Sequence, residues 1–274
     1  MPELPEVETV RQTLRKNILG KQVSGITVLY ERMIVGSSVS EFKEKLIGKT
    51  LLEIGRKGKY LYFMFSDDIY LISHLRMEGK YFIKPIGDEI VKHEHVIFEF
   101  SDGLSLRYAD VRKFGTMELK SGEDLFTTHP LMELGMEANN LNVSYLKDKI
   151  NRKHKDLKAF LLDQSMIAGI GNIYADEICF MSKLHPKQDI YYLTDTDLEN
   201  ICAASKEVIN KAIAAGGTTI RSYTSSLGVT GLFQLNLNVH TKANKPCPLC
   251  NTLIIKTRVA GRGTYICENC QKLK

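Results

Sequence analysis

At 274 residues, with hydrophobic residues at 43%, charged residues at 25% and a net charge of +5, the chain has room for a sizeable core and the composition of an ordinary globular protein. No apolar run approaches the roughly 18 residues that a membrane span needs, and the acidic start lacks the basic and apolar regions of a secretory signal. The reading is therefore a cytoplasmic protein with no membrane association.

The start, Met1-Pro2-Glu3-Leu4-Pro5-Glu6-Val7-Glu8, supports two readings. Pro5 with Glu6 and Glu8, followed by Val7, Val10, Leu14 and Ile18 at helical spacing, predicts an amphipathic helix whose N-terminus is complemented by acids. If Met1 is removed, Pro2 also presents a terminal secondary amine beside the Glu3 and Glu6 carboxylates. Such an amine titrates near ~8 rather than the ~10.4 of lysine, so it suits a nucleophile with acid/base partners.

Short β-rich runs follow at Ile26–Tyr30, Leu51–Ile54, Tyr60–Phe65, Ile69–Ser73, Val96–Phe100 and Leu104–Tyr108. Asp67-Asp68 and Asp102-Gly103 separate pairs of them as hairpin turns, and this half reads as a β-sandwich or barrel preceded by a helix. From about Glu123 the period becomes helical, with candidates at Tyr145–Ile150, Leu157–Gln164, Ile173–Ser182 and Thr196–Ala215. Gly216 to Gly231 is rich in Gly, Ser and Thr and long enough for a mobile loop rather than a simple connection.

Between the strands, His74-Leu75-Arg76-Met77, Lys92-His93-Glu94-His95 and Asp110-Val111-Arg112-Lys113-Phe114 interleave cationic or His residues with Met or Phe. Cations hold phosphates and apolar wedges enter a base stack, so the mixture suits nucleic acid. Lys59, in Lys57-Gly58-Lys59, projects from a strand entrance, where a lysine ordinarily serves as a solubilising surface residue. Gly169-Ile170-Gly171-Asn172 reads as a turn between helices whose free N–H groups and Asn172 amide can bind a phosphate oxygen.

Cys247-x2-Cys250-x16-Cys267-x2-Cys270 has the spacing of four thiolates on one structural Zn²⁺, closed to further ligands, on a hairpin of Leu253–Lys256 and Thr264–Cys267. Cys179 and Cys202 sit in apolar helical stretches and read as buried thiols. Residues 236–274 carry seven Lys or Arg against Glu268 alone, a basic tail able to attract a polyanion.

In this order the motifs resemble those of the bacterial formamidopyrimidine-DNA glycosylases over nearly the whole chain. The resemblance implies an α+β multidomain protein: an N-terminal helix and β-sandwich (1–130), a helix-two-turn-helix domain with a lesion-capping loop (131–235) and a zinc-finger hairpin (236–274). It implies a monomer acting on damaged double-stranded DNA, held in a cleft between its halves, as a bifunctional glycosylase and AP lyase for oxidised purines. By similarity, Pro2 attacks the sugar C1′, Glu3 serves as acid/base, Lys59 assists, and Arg262 grips the phosphate beside the lesion. Met77, Arg112 and Phe114 match the residues filling the gap left by an everted base, and His74, His93, Lys158 and Asn172 match DNA-contacting positions. An endonuclease VIII-like preference for oxidised pyrimidines and a non-catalytic damage-binding protein are the alternatives. The chain departs from the family pattern at Ala159, where proline is frequent, at His240-Thr241, where Tyr-Gly is common, and at Asn251, where glycine is usual.

Overall fold

The structure is a computed structural model that describes residues 1–218 and 232–274. Its packing separates two compact units: Met1–Glu133 with Thr218, and Leu134–Gly217 with Leu232–Lys274.

In the first unit, α1 (Leu4–Ile18) is followed by β1 (Val23–Val28), β2 (Ile34–Val35), α2 (Val39–Leu46), β3 (Leu51–Lys57), β4 (Tyr60–Phe65), β5 (Ile69–His74), β6 (Lys80–Pro85), β7 (Glu94–Phe100), β8 (Leu104–Ala109), β9 (Thr116–Ser121) and α3 (Gly122–Leu125). The strands form a five-stranded sheet, β2-β9-β5-β4-β3, and a four-stranded sheet, β1-β7-β8-β6. One core joins them: Ile54, Leu61, Phe63, Leu71 and Met117 from the first sheet and Tyr81, Val96, Phe98, Leu106 and Tyr108 from the second are all buried. Helix α1 adds Val7, Val10, Leu14 and Ile18, the stripe its periodicity predicts.

The predicted strands are present with shifted ends, and the first unit has five elements that the sequence reading does not name, β2, α2, β6, β9 and α3, of which α2, β6 and β9 are the longest. Helix α2 is short, capped by the Ser38 side chain accepting from the Glu41 N–H. Strand β6 contains two lysines and ends in Pro85, which reads as a loop but is tolerated because β6 is a sheet edge. Strand β9 alternates Met117 and Leu119 with Glu118 and Lys120, too short a pattern to register against its charged residues.

In the second unit, β10 (Met136–Glu137) pairs with β11 (Ile167–Ala168), and helices α4 (Val143–Ile150), α5 (Leu157–Leu162), α6 (Asn172–Met181) and α7 (Asp195–Ala214) precede the hairpin of β12 (Ile255–Val259) and β13 (Arg262–Ile266). The hairpin lies slightly later than predicted in its first strand because Val259 pairs directly with Arg262, leaving Ala260-Gly261 as a two-residue turn, both at positive φ (50° and 72°). Gln164 braces the α5–α6 connection, donating to the Leu162 and Ile170 carbonyls and accepting from the Gly169 N–H. The residues between Gly216 and Gln234, read as a loop, fall mostly outside the described residues.

Arg107, 1% exposed, is the largest fully buried side chain of the first unit. Its guanidinium donates to Ser105, to the Glu94 carboxylate and to the carbonyls of Pro85, Asp88 and Glu89, so it fastens the β6–β7 connection to β8. Arg107→Met should leave Glu94 with one of its two cationic partners and the three carbonyls without their donor. Loss of one member of a buried pair costs about 3–5 kcal/mol, and denaturant unfolding of the variant should show a destabilisation of that size; an unchanged midpoint would refute the assigned role.

Candidate nucleic-acid interface and metal centre

Strand register decides where the candidate residues of the first unit fall. In the five-stranded sheet Tyr60 pairs with His74 and His74 with Thr116; in the other sheet Lys80 pairs with Ala109 and Ala109 with Glu94. These two rows are the starts and ends of the strands that cross between sheets, β5 to β6 and β8 to β9. The Lys57–Tyr60 turn, His74, the Met77 loop, His93 and the Arg112–Phe114 loop therefore gather at one end of the sandwich.

Helix α1 brings its N-terminus to the same end. Arg11 donates to the Ile54 carbonyl, Arg15 pairs with Glu53, and Gly20 N–H reaches the Leu51 carbonyl, so α1 runs antiparallel to β3 and its start lies towards Lys57. Glu3 occupies the N-cap, and the Glu6 carboxylate accepts from the Glu3 N–H at 2.8 Å. The other Glu6 oxygen accepts from Thr218, from N–H at 2.7 Å and hydroxyl at 3.1 Å, which anchors the residue where the Gly, Ser and Thr-rich stretch begins. Pro2, Glu3 and Glu6 are all buried, and Met1 is exposed.

Lys59 follows Gly58, whose φ of +57° meets the demand of a two-residue hairpin turn at its first central position. Its neighbour Lys57 is committed elsewhere: Nζ donates to the Leu131 carbonyl at 3.0 Å and lies 5.5 Å over the Phe126 ring. Lys59 is 6% exposed.

His74 is buried against Tyr60, with ring centroids 4.3 Å apart. Its Nδ1 accepts from the Arg76 N–H at 2.9 Å. Burial, with the nearby Arg76 and Lys59 charges, pushes its pKa down to about 3. The ring is therefore neutral near pH 7, with its proton on Nε2, and can serve as an uncharged donor.

The two crossover loops share a support. Asp110, 1% exposed, accepts from the N–H groups of Arg112, Phe114 and Gly115, all at 2.9 Å. A Cβ at Gly115 would stand 1.7 Å from the Tyr108 hydroxyl, and one at Gly79 2.1 Å from it, so both loops press on one side chain. The tips remain exposed: Met77 at 39% and Phe114 at 51%, with the Arg112 guanidinium 4.7 Å from the Phe114 ring. His93 is half-buried at a φ of +74°, and its carbonyl accepts from the Asp110 N–H.

In the second unit Asn172 is the first residue of α6; its Nδ2 donates to the Gly263 carbonyl, and its buried Oδ1 has no partner among the described residues. Lys158, expected at a DNA-contacting position, is fully buried: Nζ pairs with Asp176 at 2.6 Å and donates to Gly263 O and Thr264 Oγ1. Both residues thus hold the peptide next to Arg262, whose own side chain is exposed on β13. Asp176 also meets His240 Nδ1 at 2.7 Å, and Glu177 accepts from the N–H groups of Asn238, Val239 and His240. Sequence alone gives Asp176 and Glu177 no role; two adjacent carboxylates in the apolar run Ile173–Phe180 are the signal that finds them.

The four Sγ atoms of Cys247, Cys250, Cys267 and Cys270 lie within 4.8 Å of one another, with Cys247–Cys270 at 3.8 Å and Cys250–Cys267 at 3.4 Å. Tetrahedral Zn–S bonds of about 2.3 Å separate sulfurs by roughly 3.8 Å, so the set fits one structural Zn²⁺. The Leu249 N–H donates to Cys247 Sγ, the kind of contact that steadies a thiolate ligand. Asn251 has a φ of +62°, which explains why glycine suits that position and why asparagine is accepted. Thr241, at +66°, is a β-branched residue in the same region and carries backbone strain.

Comparison with known proteins covers the full chain. The formamidopyrimidine-DNA glycosylase N-terminal domain matches residues 1–117, the H2TH domain of the same glycosylases matches 134–224, and the zinc finger found in FPG and IleRS matches 244–273. The formamidopyrimidine-DNA glycosylases of Ligilactobacillus salivarius and Bacillus subtilis are 47% and 44% identical, each over 100% of both chains. The crystal structure of Lactococcus lactis Fpg (MutM) with DNA containing N7-benzyl-Fapy-dG is 41% identical, with a TM-score of 0.92 over 99% of this chain and 100% of that one. A complex of the same protein with abasic-site DNA gives 0.92 over 98% and 99%.

Two outcomes follow from this geometry. The His74 ring, observed by ¹⁵N NMR, should stay neutral with Nε2 protonated from pH 8 to pH 5; a titration step within that window would contradict the burial assigned to it. Removing the metal with a chelator should make residues 244–273 sensitive to protease while the first unit stays protected, and equal resistance with and without metal would overturn the structural role of the site.

Proposed function

Since the chain belongs to the formamidopyrimidine-DNA glycosylase family, we propose that it excises oxidised purines such as 8-oxoguanine and formamidopyrimidines from damaged double-stranded DNA and then cleaves the resulting abasic site. The observation that best supports this reading is the gathering of α1's N-terminus, Lys59, His74, Met77, His93, Arg112 and Phe114 at one end of the sandwich. The protein is a base-excision repair enzyme acting as a monomer in the cytoplasm, at the nucleoid.

In the proposed reaction the Pro2 nitrogen bonds to C1′ as the C1′–N9 bond breaks, and the departing base takes up a proton, with Glu3 handling proton transfer. Opening of the sugar ring leaves an iminium. Because Pro2 is a secondary amine, that cation has no N–H to lose and acts as an electron sink. Loss of a C2′ proton then expels the 3′ phosphate, and a second elimination expels the 5′ phosphate. With Met1 attached the Pro2 nitrogen is an amide, so this chemistry requires cleavage of the Met1–Pro2 bond.

Other residues supply binding. Lys59, Arg262 and Asn172 hold phosphates, neutral His74 donates a hydrogen bond, and His93 contacts the DNA beside it. Met77, Arg112 and Phe114 fill the stack vacated by the extruded base, offsetting an unstacking cost of a few kcal/mol. Lys158 serves this interface from within, by fixing Gly263 and Thr264 beside Arg262. Zn²⁺ would offset part of the charge of the four thiolates and hold the hairpin that carries Arg262.

Borohydride should trap a covalent complex between the processed chain and a duplex containing 8-oxoguanine, and a blocked or Met1-extended terminus should abolish trapping while leaving binding intact. Equal trapping by the blocked chain would refute Pro2 as nucleophile. Faster excision of thymine glycol than of 8-oxoguanine would replace the purine assignment with the pyrimidine one.

A further inference from the structure

We propose that Glu8 and Arg56 are positioning residues that set the Lys57–Tyr60 turn, and with it Lys59, against the N-terminal end of α1. The inference rests on the reading of Pro2 and Lys59 as reacting and assisting groups and adds a mechanical link between them.

Glu8 lies in the second turn of α1 with its side chain 10% exposed, and Arg56, near the end of β3, is 8% exposed. Arg56 Nε donates to the Glu8 carboxylate at 2.9 Å, and Arg56 Nη1 donates to the Gly58 carbonyl at 2.9 Å. Arg11, through Nε and Nη2, and Gln12 hold the same carboxylate from the helix itself. Burial raises the Glu8 pKa, but the hydrogen bonds from Arg11, Arg56 and Gln12 outweigh it and hold the carboxyl at about 2. The carboxylate is thus ionised throughout the range in which the enzyme works.

The geometry identifies what the link controls. The Gly58 carbonyl belongs to the peptide whose nitrogen is that of Lys59, so moving it turns the Lys59 Cα–Cβ direction. A guanidinium is a rigid plane, and here one part of it is fixed to the helix and another to the turn. A buried ion pair adds little stability over an apolar pair of the same volume, so stability gives a weak account of four donor groups placed on one carboxylate. Setting the distance between two elements that each carry a reacting group gives a direct one. Lysine at position 56 would keep the charge and lose the fork, which separates positioning from electrostatics.

The test uses the full, zinc-loaded chain with its processed terminus, single-turnover excision of 8-oxoguanine counted per active site, and affinity for a duplex carrying an uncleavable abasic analogue. Arg56→Met and Arg56→Lys should each slow excision about ten- to hundredfold, the scale of misplacing a reacting group, while affinity changes less than about threefold. In a Lys59→Ala background, Arg56→Met should add no further slowing. Multiplicative slowing in that background, full activity of Arg56→Lys, or weaker binding at an unchanged rate would each overturn the proposal. Should Lys59→Ala alone excise at the wild-type rate while Arg56→Met is slow, the role given to Lys59 fails and the link to it fails as well. Should Arg56→Met alone be fast while Lys59→Ala is slow, only the link fails.

Discussion

The first unit depends on a constraint of strand register: the β5–β6 and β8–β9 crossovers, two of the three between its sheets, leave from the same end of the sandwich. His74 pairs with Thr116 where β5 ends and β9 begins, and Lys80 pairs with Ala109 where β6 begins and β8 ends. Two loops far apart in sequence must then lie side by side, whatever their own composition. Asp110 shapes one of them through three N–H groups, and the Tyr108 hydroxyl leaves no room for a side chain at Gly79 or Gly115. Exposed Met77 and Phe114 are consequently carried on a rigid base, which a wedge entering a base stack requires.

A second economy concerns charge. The groups proposed to meet DNA are few, and most charged side chains near them are engaged with protein. Lys57 is bound to Leu131 and Phe126, Lys158 to Asp176, and Arg56 to Glu8. Buried cations of this kind gain little affinity for a polyanion, but they fix the backbone beside a residue that can meet it. Gly58 precedes Lys59, and Gly263 follows Arg262. In both cases a buried cation holds the carbonyl of a glycine adjacent to an exposed or reacting cation.

How far the sequence foresees this differs between patterns that are local and those that are not. The α1 stripe, the turn at Asp102-Gly103 and the four-cysteine spacing each depend on residues close together, and periodicity or ligand chemistry reads them directly. Strands β6 and β9 escaped because their apolar faces show only after pairing partners are known. For Lys158, similarity names a DNA-contacting position, and its partners inside the protein are invisible for a related reason. Its partner Asp176 is 18 residues away and its acceptor at Gly263 more than 100 away. The departures from the family pattern become intelligible in the same way, since a positive φ at Asn251 and Thr241 is a property of the folded turn rather than of the residue.

Glu6 joins these observations. Its carboxyl group accepts from the N–H of Glu3 on one oxygen and from Thr218 on the other, so the cap of α1 and the start of the Gly, Ser and Thr-rich stretch share one acceptor group. A buried carboxyl group with donors on both oxygens favours keeping all of them in place, because withdrawing one leaves a buried acceptor under-paired. The N-terminus that carries Pro2 is thus tied by Glu6 to the start of that stretch and by Glu8 to the lysine turn, through two acids one helical half-turn apart. The same acids that make the first ten residues look like an ordinary helix start are the ones that anchor that start for the chemistry proposed for Pro2.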